Sequence, residues 1–251
     1  IMAVFISLIK KELRTCFYSP IAYVVMFFFW ALTGGNFIWL LSQLAHGESL
    51  TIATQLMFSG PLLTFAIPVI VPLITMRLFA EERKLGTLEA LLTTSVKVPE
   101  LVLAKFIGAW IFYMVLWLPA IVYLFFQHRL APAEVAGFPD GGAMLAGALG
   151  VMLVGALYVA IGLFMSTLTS NQIVAAISGF AILMGGLFVS MYMAYTAQSA
   201  GVRLIGQYYS SFAHMMDFAR GVLDSRIVVM YITHAAWFLF AAIRVVESKR
   251  V

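Results

Sequence analysis

The sequence predicts an all-α integral membrane protein with six membrane-spanning helices. Of its 251 residues, 63% are hydrophobic and only 10% are charged, whereas soluble domains carry about 25% charged and about 45–50% apolar residues. A soluble fold of this composition could not cover its own surface with polar groups. Six apolar runs are long enough to cross a bilayer as helices, and none alternates polar and apolar residues as the strands of a membrane β-barrel do.

The six runs have lengths close to the roughly 20 residues that a helix needs to cross the hydrocarbon core. They cover residues 21–41, 56–76, 106–126, 143–165, 173–197 and 227–243. We therefore expect one membrane domain over residues 1–251, with spans 1 and 2 in 21–76, spans 3 to 5 in 106–197, and the last span with a tail in 227–251. The fourth run is rich in Gly and Ala, which favours close helix packing within the bundle or in a subunit interface.

Residues 1–20 are predicted to form an amphipathic helix that lies in the membrane surface. Polar and basic residues fall on one face and apolar residues on the other, and Pro20 then ends the helix where the chain turns into the first span. The helix is either a surface anchor alone or also a contact with another subunit. Its basic residues follow the apolar stretch, so no cleavable signal peptide is expected. Because the first residue is Ile1, we expect the natural start to lie further upstream.

The distribution of Lys and Arg predicts the orientation of the chain. With the N-terminus inside, the inner segments contain Lys10, Lys11, Arg14, Arg77, Arg83, Lys84, Lys97, Lys105, Arg244, Lys249 and Arg250. The outer segments contain only Arg129, Arg203, Arg220 and Arg226. Because cytoplasmic loops are enriched in basic residues, we expect both termini on the cytoplasmic side of a cell (inner) membrane, in a prokaryote.

A short segment between the second and third spans contains a third of the charges. Nine of the 26 Asp, Glu, Lys and Arg residues lie in residues 77–105, here called the charged segment. Gly86 is expected to separate two short helices, with Thr87 as the N-cap of the second and Glu89 near its positive end. An apolar knob follows from the spacing of Leu85, Leu88, Leu91 and Leu92. The knob either docks another protein or packs back onto the bilayer or the N-terminal helix.

Residues 198–226 are too polar to form a seventh span. They are predicted to form an external amphipathic helix that dips into the outer leaflet, or a re-entrant hairpin. Arg220 lies three residues after Asp217 and four before Asp224. At these spacings along one helix, a carboxylate–guanidinium pair is expected at the wet edge of the segment.

Several classes of function are disfavoured by what the sequence lacks. The single cysteine excludes an internal disulfide and any multi-cysteine metal site. No G-x-x-x-x-G-K-[ST] phosphate loop occurs, so the chain does not bind ATP by that means. No arrangement for catalysis or metal ligation is found, and we expect no enzyme activity. The six runs contain no Asp or Glu, which disfavours an ion-coupled secondary transporter.

The charged segment resembles the cytoplasmic loop of the ABC-2 family of ABC-transporter permeases. That family has an F-x-E-E-[RK]-x-x-G-T-[LI]-E-x-L-L pattern between its second and third spans, matched here from Phe79 to Leu92. The likeness continues in K-x-x-G at Lys105 and Gly108, and in an N-terminal stretch from Lys11 to Pro20 that looks like the family's elbow helix. It covers almost the whole chain.

The stretch HMMDFARGVLDSR resembles the gliding-motility-associated branch of the same family. In that branch an H-x-x-x-F-x-R-G-[VL]-[LIV]-D motif precedes the last helix, and the external-helix motif of this chain comprises His214, Asp217, Phe218, Arg220, Gly221 and Asp224. The chain departs from the branch at Ile227, where an acidic residue is common.

The resemblance implies a permease subunit whose coupling helix docks on a separate ABC ATPase. The docking residues would be Glu81, Glu82, Arg83, Leu85, Gly86, Thr87, Leu88, Glu89, Leu91 and Leu92. This chain would bind no cofactor, since ATP and Mg²⁺ belong to the ATPase. A second permease chain, identical or related, and membrane lipid are the other expected partners, and no nucleic acid is expected. The expected activity is export; the alternative is a mechanical or scaffold subunit of an envelope or gliding machine, without transport.

Overall fold

A computed structural model describes residues 2–45, 56–92, 97–130 and 141–249. Within these ranges the chain forms helices and no strand. Twelve of them are α1 (Met2–Phe17), α2 (Pro20–Ala45), α3 (Pro61–Thr75), α4 (Arg77–Lys84), α5 (Thr87–Leu92), α6 (Val98–Leu116), α7 (Leu118–Leu130), α8 (Gly141–Leu168), α9 (Gln172–Thr196), α10 (Ala200–Tyr209), α11 (Ser211–Ala219) and α12 (Ser225–Glu247). Among the residues singled out above, Ile1, Arg250 and the side chains of Leu91, Leu92 and Arg129 lie outside the described part.

Six helical stretches are long and apolar enough to cross a membrane, which confirms the predicted fold class. They are Pro20–Gln43, Pro61–Lys84, Val98–Phe126, Gly141–Leu168, Gln172–Thr196 and Ser225–Glu247. The second stretch consists of α3 and α4, which meet at Met76. The helix of the third begins at Val98, eight residues before the apolar run that predicted it. Residues of the charged segment therefore lengthen two helices: they continue the second span at its end and precede the apolar part of the third.

A break divides the third stretch into α6 and α7 at Trp117. Pro119 follows two residues later and has no backbone N–H to donate, so the helical hydrogen-bond ladder is interrupted. The N–H of Trp117 donates a hydrogen bond to the carbonyl of Met114, and the N–H of Ala120 donates to the carbonyl of Trp117, both at 3.1 Å. The Trp117 ring packs in the core against Phe29 of α2, with the ring centroids 5.4 Å apart.

The helix α8 lies at the centre of the bundle, where it packs against α3, α4, α6, α9, α11 and α12. Its glycines let large side chains of these neighbours lie directly on its backbone. Gly150 faces the ring of Phe218, Gly155 faces Tyr113 and Gly162 faces Thr75. The small residues of the fourth run thus serve packing within the chain, the first of the two alternatives considered for them.

The amphipathic helix α1 packs along α6 and closes the bundle at the end that contains the charged segment. By contrast, α2, α9 and α12 bury few of their side chains, and large apolar ones remain exposed, including Phe27, Phe188 and Trp237. Lipid or a second chain is needed to cover these apolar faces, since water cannot solvate them favourably.

The segment after the fifth span forms two short helices. α10 packs on α9, where Gly206 lies against the backbone of Met193 and Ala194, and α11 packs on α8. The segment is therefore helical, as expected, but it consists of two helices and not one. Ser210 separates the two helices and caps the second, because its hydroxyl accepts a hydrogen bond from the N–H of Ala213 at 3.3 Å.

We expect Gly155→Ala to destabilise the protein, because the added methyl group would collide with the Tyr113 ring. Overpacking of this kind costs about 1–3 kcal/mol. The matched control is Gly185→Ala, since a Cβ at Gly185 meets no described atom within 4 Å, and it should be neutral or slightly stabilising. Thermal unfolding in detergent measures both variants. Equal melting temperatures for the two would show that the close approach of α6 and α8 is not needed.

Candidate functional site

A buried ion triad joins three elements at the end of the bundle that contains α1. Lys105 of α6 is 2% exposed, and its ammonium lies 2.8 Å from Oε1 of Glu82 on α4. The same ammonium donates to both carboxylate oxygens of Glu12 on α1 at 3.3 Å. We call Glu12, Glu82 and Lys105 the ion triad.

A glycine one helical turn beyond Lys105 makes this contact possible. The Cβ of Glu12 lies so close to Gly108 that an added methyl group there would sit 3.0 Å from it. With no side chain at Gly108, α1 can approach α6 closely enough for the Glu12 carboxylate to reach the ammonium. The K-x-x-G pattern thus has a structural reason: its Lys supplies the charge, and its Gly supplies the space.

The charges of the triad do not cancel, because two carboxylates face one ammonium. Lys11 offers a second positive charge, with its Nζ 3.9 Å from Glu12 and 4.0 Å from Glu82. Its side chain is 52% exposed, so this pairing is loose and screened by solvent. The buried pairing is different: removal of one partner of a buried ion pair leaves an uncompensated charge, which costs about 3–5 kcal/mol.

A second ion pair fixes the first turn of α4. The Arg77 guanidinium binds the Glu81 carboxylate through two parallel hydrogen bonds, 2.8 and 2.9 Å long. A further N–H of Arg77 donates to the hydroxyl of Ser19, at the junction of α1 and α2. The bidentate pair holds the guanidinium in a defined geometry, and its bond to Ser19 joins α4 to the start of the first span.

The break between α3 and α4 is bridged by a hydroxyl from α8. Ser166 accepts hydrogen bonds from the backbone N–H groups of Phe79 at 3.0 Å and Ala80 at 3.1 Å, and donates to the carbonyl of Met76 at 3.0 Å. Backbone groups at helix ends lack intrahelical partners, and this buried hydroxyl satisfies three of them. The centre of the bundle is thereby tied to the charged segment.

The end of α8 also receives two basic side chains. Arg83 of α4 and Lys249 after α12 both donate to the carbonyl of Thr167, at 2.8 and 2.9 Å. Two donors share one acceptor, and the two positive charges lie side by side. Partial burial, and next the charge of Arg83, lower the pKa of Lys249.

The helix–break–helix predicted for the charged segment is present. Gly86 has φ +69, a conformation that glycine adopts without strain, and α4 and α5 lie on either side of it. Leu85, Gly86, Thr87 and Glu89 are exposed, with Leu85 at 66%. These four residues are here called the exposed tip.

Two residues of the predicted docking set, Leu88 and Thr87, make contacts within this chain. Leu88 is 4% exposed and belongs to the core, so it packs back into the chain instead of contributing to an exposed knob. The hydroxyl of Thr87 donates to the carbonyl of Glu82 at 3.2 Å. It therefore satisfies the end of α4, which Gly86 leaves open.

Residues of the external-helix motif have structural roles in the packing of α11. His214 is 2% exposed, and its Nδ1 lies 3.0 Å from the hydroxyl of Tyr231 on α12. Phe218 lies on the backbone of α8 at Gly150. Burial lowers the pKa of His214, although the nearby Asp217 and Asp224 act in the opposite direction.

The prediction of a carboxylate–guanidinium pair in this motif is wrong. Among the described residues no salt bridge joins Arg220 to Asp217 or Asp224. The helix ends at Ala219, and Gly221 has a φ of +83°. The N–H of Val222 donates to the carbonyl of Asp217, which completes a Schellman motif at the helix end. Asp224 then caps α12, since its carboxylate accepts from the N–H of Arg226 at 2.9 Å.

Sequence reasoning did not identify the side chains that hold the charged segment in place. Glu82 and Arg83 were singled out for docking, yet both also contact other parts of this chain. Their partners Lys105 and Thr167 were missed, and so were Glu12 and Lys249, which bind the same two residues. Glu12 does lie in the elbow pattern and Lys105 in K-x-x-G, so both residues stood out in the sequence. Nothing in the sequence indicated that the two side chains form an ion pair.

A protein-family model described as "ABC-2 family transporter protein" matches residues 41–243. The match includes the charged segment, with Glu82 and Lys105 of the triad, and begins after α1. No curated protein matches the sequence.

We expect Lys105→Met to destabilise the chain by about 3–5 kcal/mol, because it leaves two carboxylates without their buried partner. Lys97→Met is the matched control at an exposed position on the same segment. The triple variant Lys105→Met, Glu12→Gln, Glu82→Gln should recover much of the loss, since it leaves no buried charge unpaired. Thermal unfolding in detergent measures all three, and a loss with Lys105→Met no greater than with Lys97→Met would contradict the triad.

Acid is expected to weaken the packing of α11. The pKa of His214 is lowered in the folded state, so the unfolded state binds more protons as the pH falls. The contribution of His214 is therefore complete above the ordinary histidine pKa of about 6.5 and is lost as the pH drops through the lowered value. Unfolding of the wild type and His214→Gln, compared between about pH 7.5 and 5, should show a smaller acid loss in the variant. Parallel pH profiles would rule out this role.

Proposed function

This chain belongs to the ABC-2 family of transporter proteins, and from that premise we propose that its charged segment couples ATP hydrolysis in a separate subunit to substrate export. Permeases of this family are noncatalytic, multi-pass membrane subunits of ABC transporters, and family membership implies partnership with an ABC ATPase. The coupling, the direction of transport and the residues that perform it are the proposal.

The observation that carries the proposal is the exposed tip, which lies directly beyond a buried anchor. Leu85 presents an apolar side chain to the outside, with exposed Glu89 on the next helix. One turn before Leu85, Glu82 enters the ion triad. A surface that only met solvent would need neither an exposed leucine nor a rigid connection to the bundle.

A force applied to the exposed tip would reach the bundle through three contacts. The first is the ion triad, which leads to α1 and α6. The second is Ser166, which holds the start of α4 on α8, and the third is the hydrogen bond from Arg83 to the carbonyl of Thr167. Because packed helices shift as units between discrete arrangements, movement of α4 would displace these three helices together.

The proposed orientation places the exposed tip and both termini in the cytoplasm, where ATP is available. It is supported by the basic residues, which are concentrated on the segments that this orientation puts inside. ATP and Mg²⁺ would be bound by the partner, since the sequence contains no phosphate-binding loop. The proposed location is a cell (inner) membrane.

Two permease chains would match two ATPase subunits, so a homodimer or a pair with a related permease is proposed. The exposed apolar faces of α2, α9 and α12 offer the area for that contact and for lipid. The proposed substrate is lipid-linked, polymeric or hydrophobic, in keeping with the apolar composition of the spans.

The second candidate is a mechanical subunit of an envelope or gliding machine. It is favoured by α10, whose exposed apolar side chains, among them Leu204 and Tyr209, offer a surface to an external partner. The likeness to the gliding-associated branch gives less support, because Phe218, Gly221 and Asp224 have sufficient reasons in packing and capping. Reconstituted vesicles separate the candidates: ATP hydrolysis with movement of a candidate substrate supports export, and hydrolysis that moves none of the substrates tried favours the mechanical role.

Leu85→Glu should weaken co-purification with the partner ABC ATPase by at least about tenfold, because it puts a charge where an apolar contact is proposed. The matched control is Leu204→Glu, a leucine with the same 66% exposure on α10. Both variants should retain the wild-type melting temperature, which separates lost docking from lost folding.

The proposal would be contradicted if Leu85→Glu bound the ATPase as the wild type does, or if Leu204→Glu weakened binding as strongly. ATPase activity of the reconstituted complex gives a second measurement of the same contact. Loss of binding together with loss of permease-dependent ATPase activity is the expected result for Leu85→Glu alone.

A further inference from the structure

A cavity of about 210 Å³ lies beside the ion triad and has no assigned occupant. It is bounded by α1, the start of α2, the α3–α4 junction and α6. Its rim includes Lys11, Ile21 and Leu85, all of them exposed, so that the cavity is open to the outside. The chain is a membrane protein, and this opening lies where the surface helix α1 meets the first span.

One wall of the cavity is charged and contains two groups that are not fully used. Oε2 of Glu82 is shielded from solvent and has no hydrogen-bond partner among the described residues. Lys11 has only loose partners, 3.9 and 4.0 Å away. Because the terminal torsion of a glutamate is soft, a small rotation of the carboxylate would turn Oε2 toward a donor in the cavity. One unused acceptor thus lies next to one available ammonium.

The remaining wall is apolar. Ala22, Val25 and Phe112 are buried side chains that line the cavity, together with the partly buried Leu73 and Ile74. Water placed against these groups would find few hydrogen-bond partners. A molecule with a charged end and a hydrocarbon part satisfies both walls at once.

We propose that this cavity binds a phospholipid whose headgroup has a primary ammonium beside its phosphate. The ammonium donates to Glu82 and adds positive charge where two carboxylates face one buried lysine. The phosphate pairs with Lys11 at the rim, and the start of an acyl chain lies against Ala22, Val25 and Phe112. This inference requires only that the chain lies in a bilayer and does not depend on the proposed coupling to an ATPase.

The geometry distinguishes this headgroup from two common ones. A phosphatidylcholine has the same charges, but its trimethylammonium has no N–H and cannot donate to Glu82. A phosphatidylglycerol has the phosphate without the positive charge, so it could bind Lys11 but would bring no second cation to the two carboxylates that share Lys105. Phosphatidylethanolamine is therefore the matching probe, and the other two lipids are the controls.

The test is native mass spectrometry of the full-length chain in detergent, with the three lipids supplied with identical acyl chains. We expect phosphatidylethanolamine to be retained at least about tenfold better than phosphatidylcholine, the ratio expected for one charge-assisted hydrogen bond. Equal retention of the two, or stronger retention of phosphatidylglycerol, would overturn the proposal.

Variants locate the bound lipid. Glu82→Gln should abolish the preference for phosphatidylethanolamine, whereas Glu100→Gln, a carboxylate of α6 that does not line the cavity, should retain it. Ala22→Phe fills the apolar part and should reduce retention of phosphatidylethanolamine to the phosphatidylcholine level, without altering the triad. Retention unchanged in Ala22→Phe would place the lipid elsewhere and refute the site.

The single cysteine gives a measurement that needs no variant. Cys16 lines the cavity, and burial, with the nearby Glu12 carboxylate as the next cause, raises the pKa of its thiol to about 11. Its reaction with a small maleimide should be slow, and it is followed near neutral pH, where the primary amine of phosphatidylethanolamine does not consume the reagent. Phosphatidylethanolamine should slow the reaction severalfold more than phosphatidylcholine does. Identical rates with both lipids would contradict occupancy of the cavity.

Discussion

The contact between Lys105 and two carboxylates constrains everything else at this end of the molecule. Glu12 belongs to the surface helix, Glu82 to the charged segment and Lys105 to the third span. Withdrawal of Lys105 would leave two carboxylates without their ammonium, and withdrawal of either carboxylate would break an ion pair that is shielded from water. We therefore expect the three helices to move together, although their residues are far apart in the sequence.

The central helix α8 has a complementary role in the bundle. Its glycines allow α6 and α11 to approach its backbone closely, and its last turn holds the charged segment through Ser166 and the Thr167 carbonyl. The contacts at the two ends of this helix differ in chemistry, with apolar packing near α11 and hydrogen bonds near α4. A displacement of the charged segment would thus act on α8 as well as on α1 and α6, and would reach α11 through its packing on α8.

Local features of this fold could be predicted from the sequence, and long-range pairings could not. The six spans and the break at Gly86 follow from hydrophobic run length and from the backbone freedom of glycine. By contrast, Glu12 and Lys105 are 93 positions apart, and no periodicity connects them. The error at Arg220 has another origin: the helical spacing was applied across Gly221, although a glycine after a basic residue is itself a signal for the end of a helix. The spacing of the leucines predicts which face of the helix they share, but it does not predict whether another element covers that face. Leu88 is covered.

The central claim is that α1 and the charged segment move as one unit, and a distance measurement between spin labels tests it most directly. Labels at Lys10→Cys and Lys84→Cys, both exposed positions, would be introduced with Cys16→Ser into the complex with its ATPase. If α1 and the charged segment move together, the Lys10–Lys84 distance is the same with and without bound ATP, while the distance from Lys84 to a label at Leu204 changes. A Lys10–Lys84 distance that changes with nucleotide would show that the ion triad does not hold these elements together.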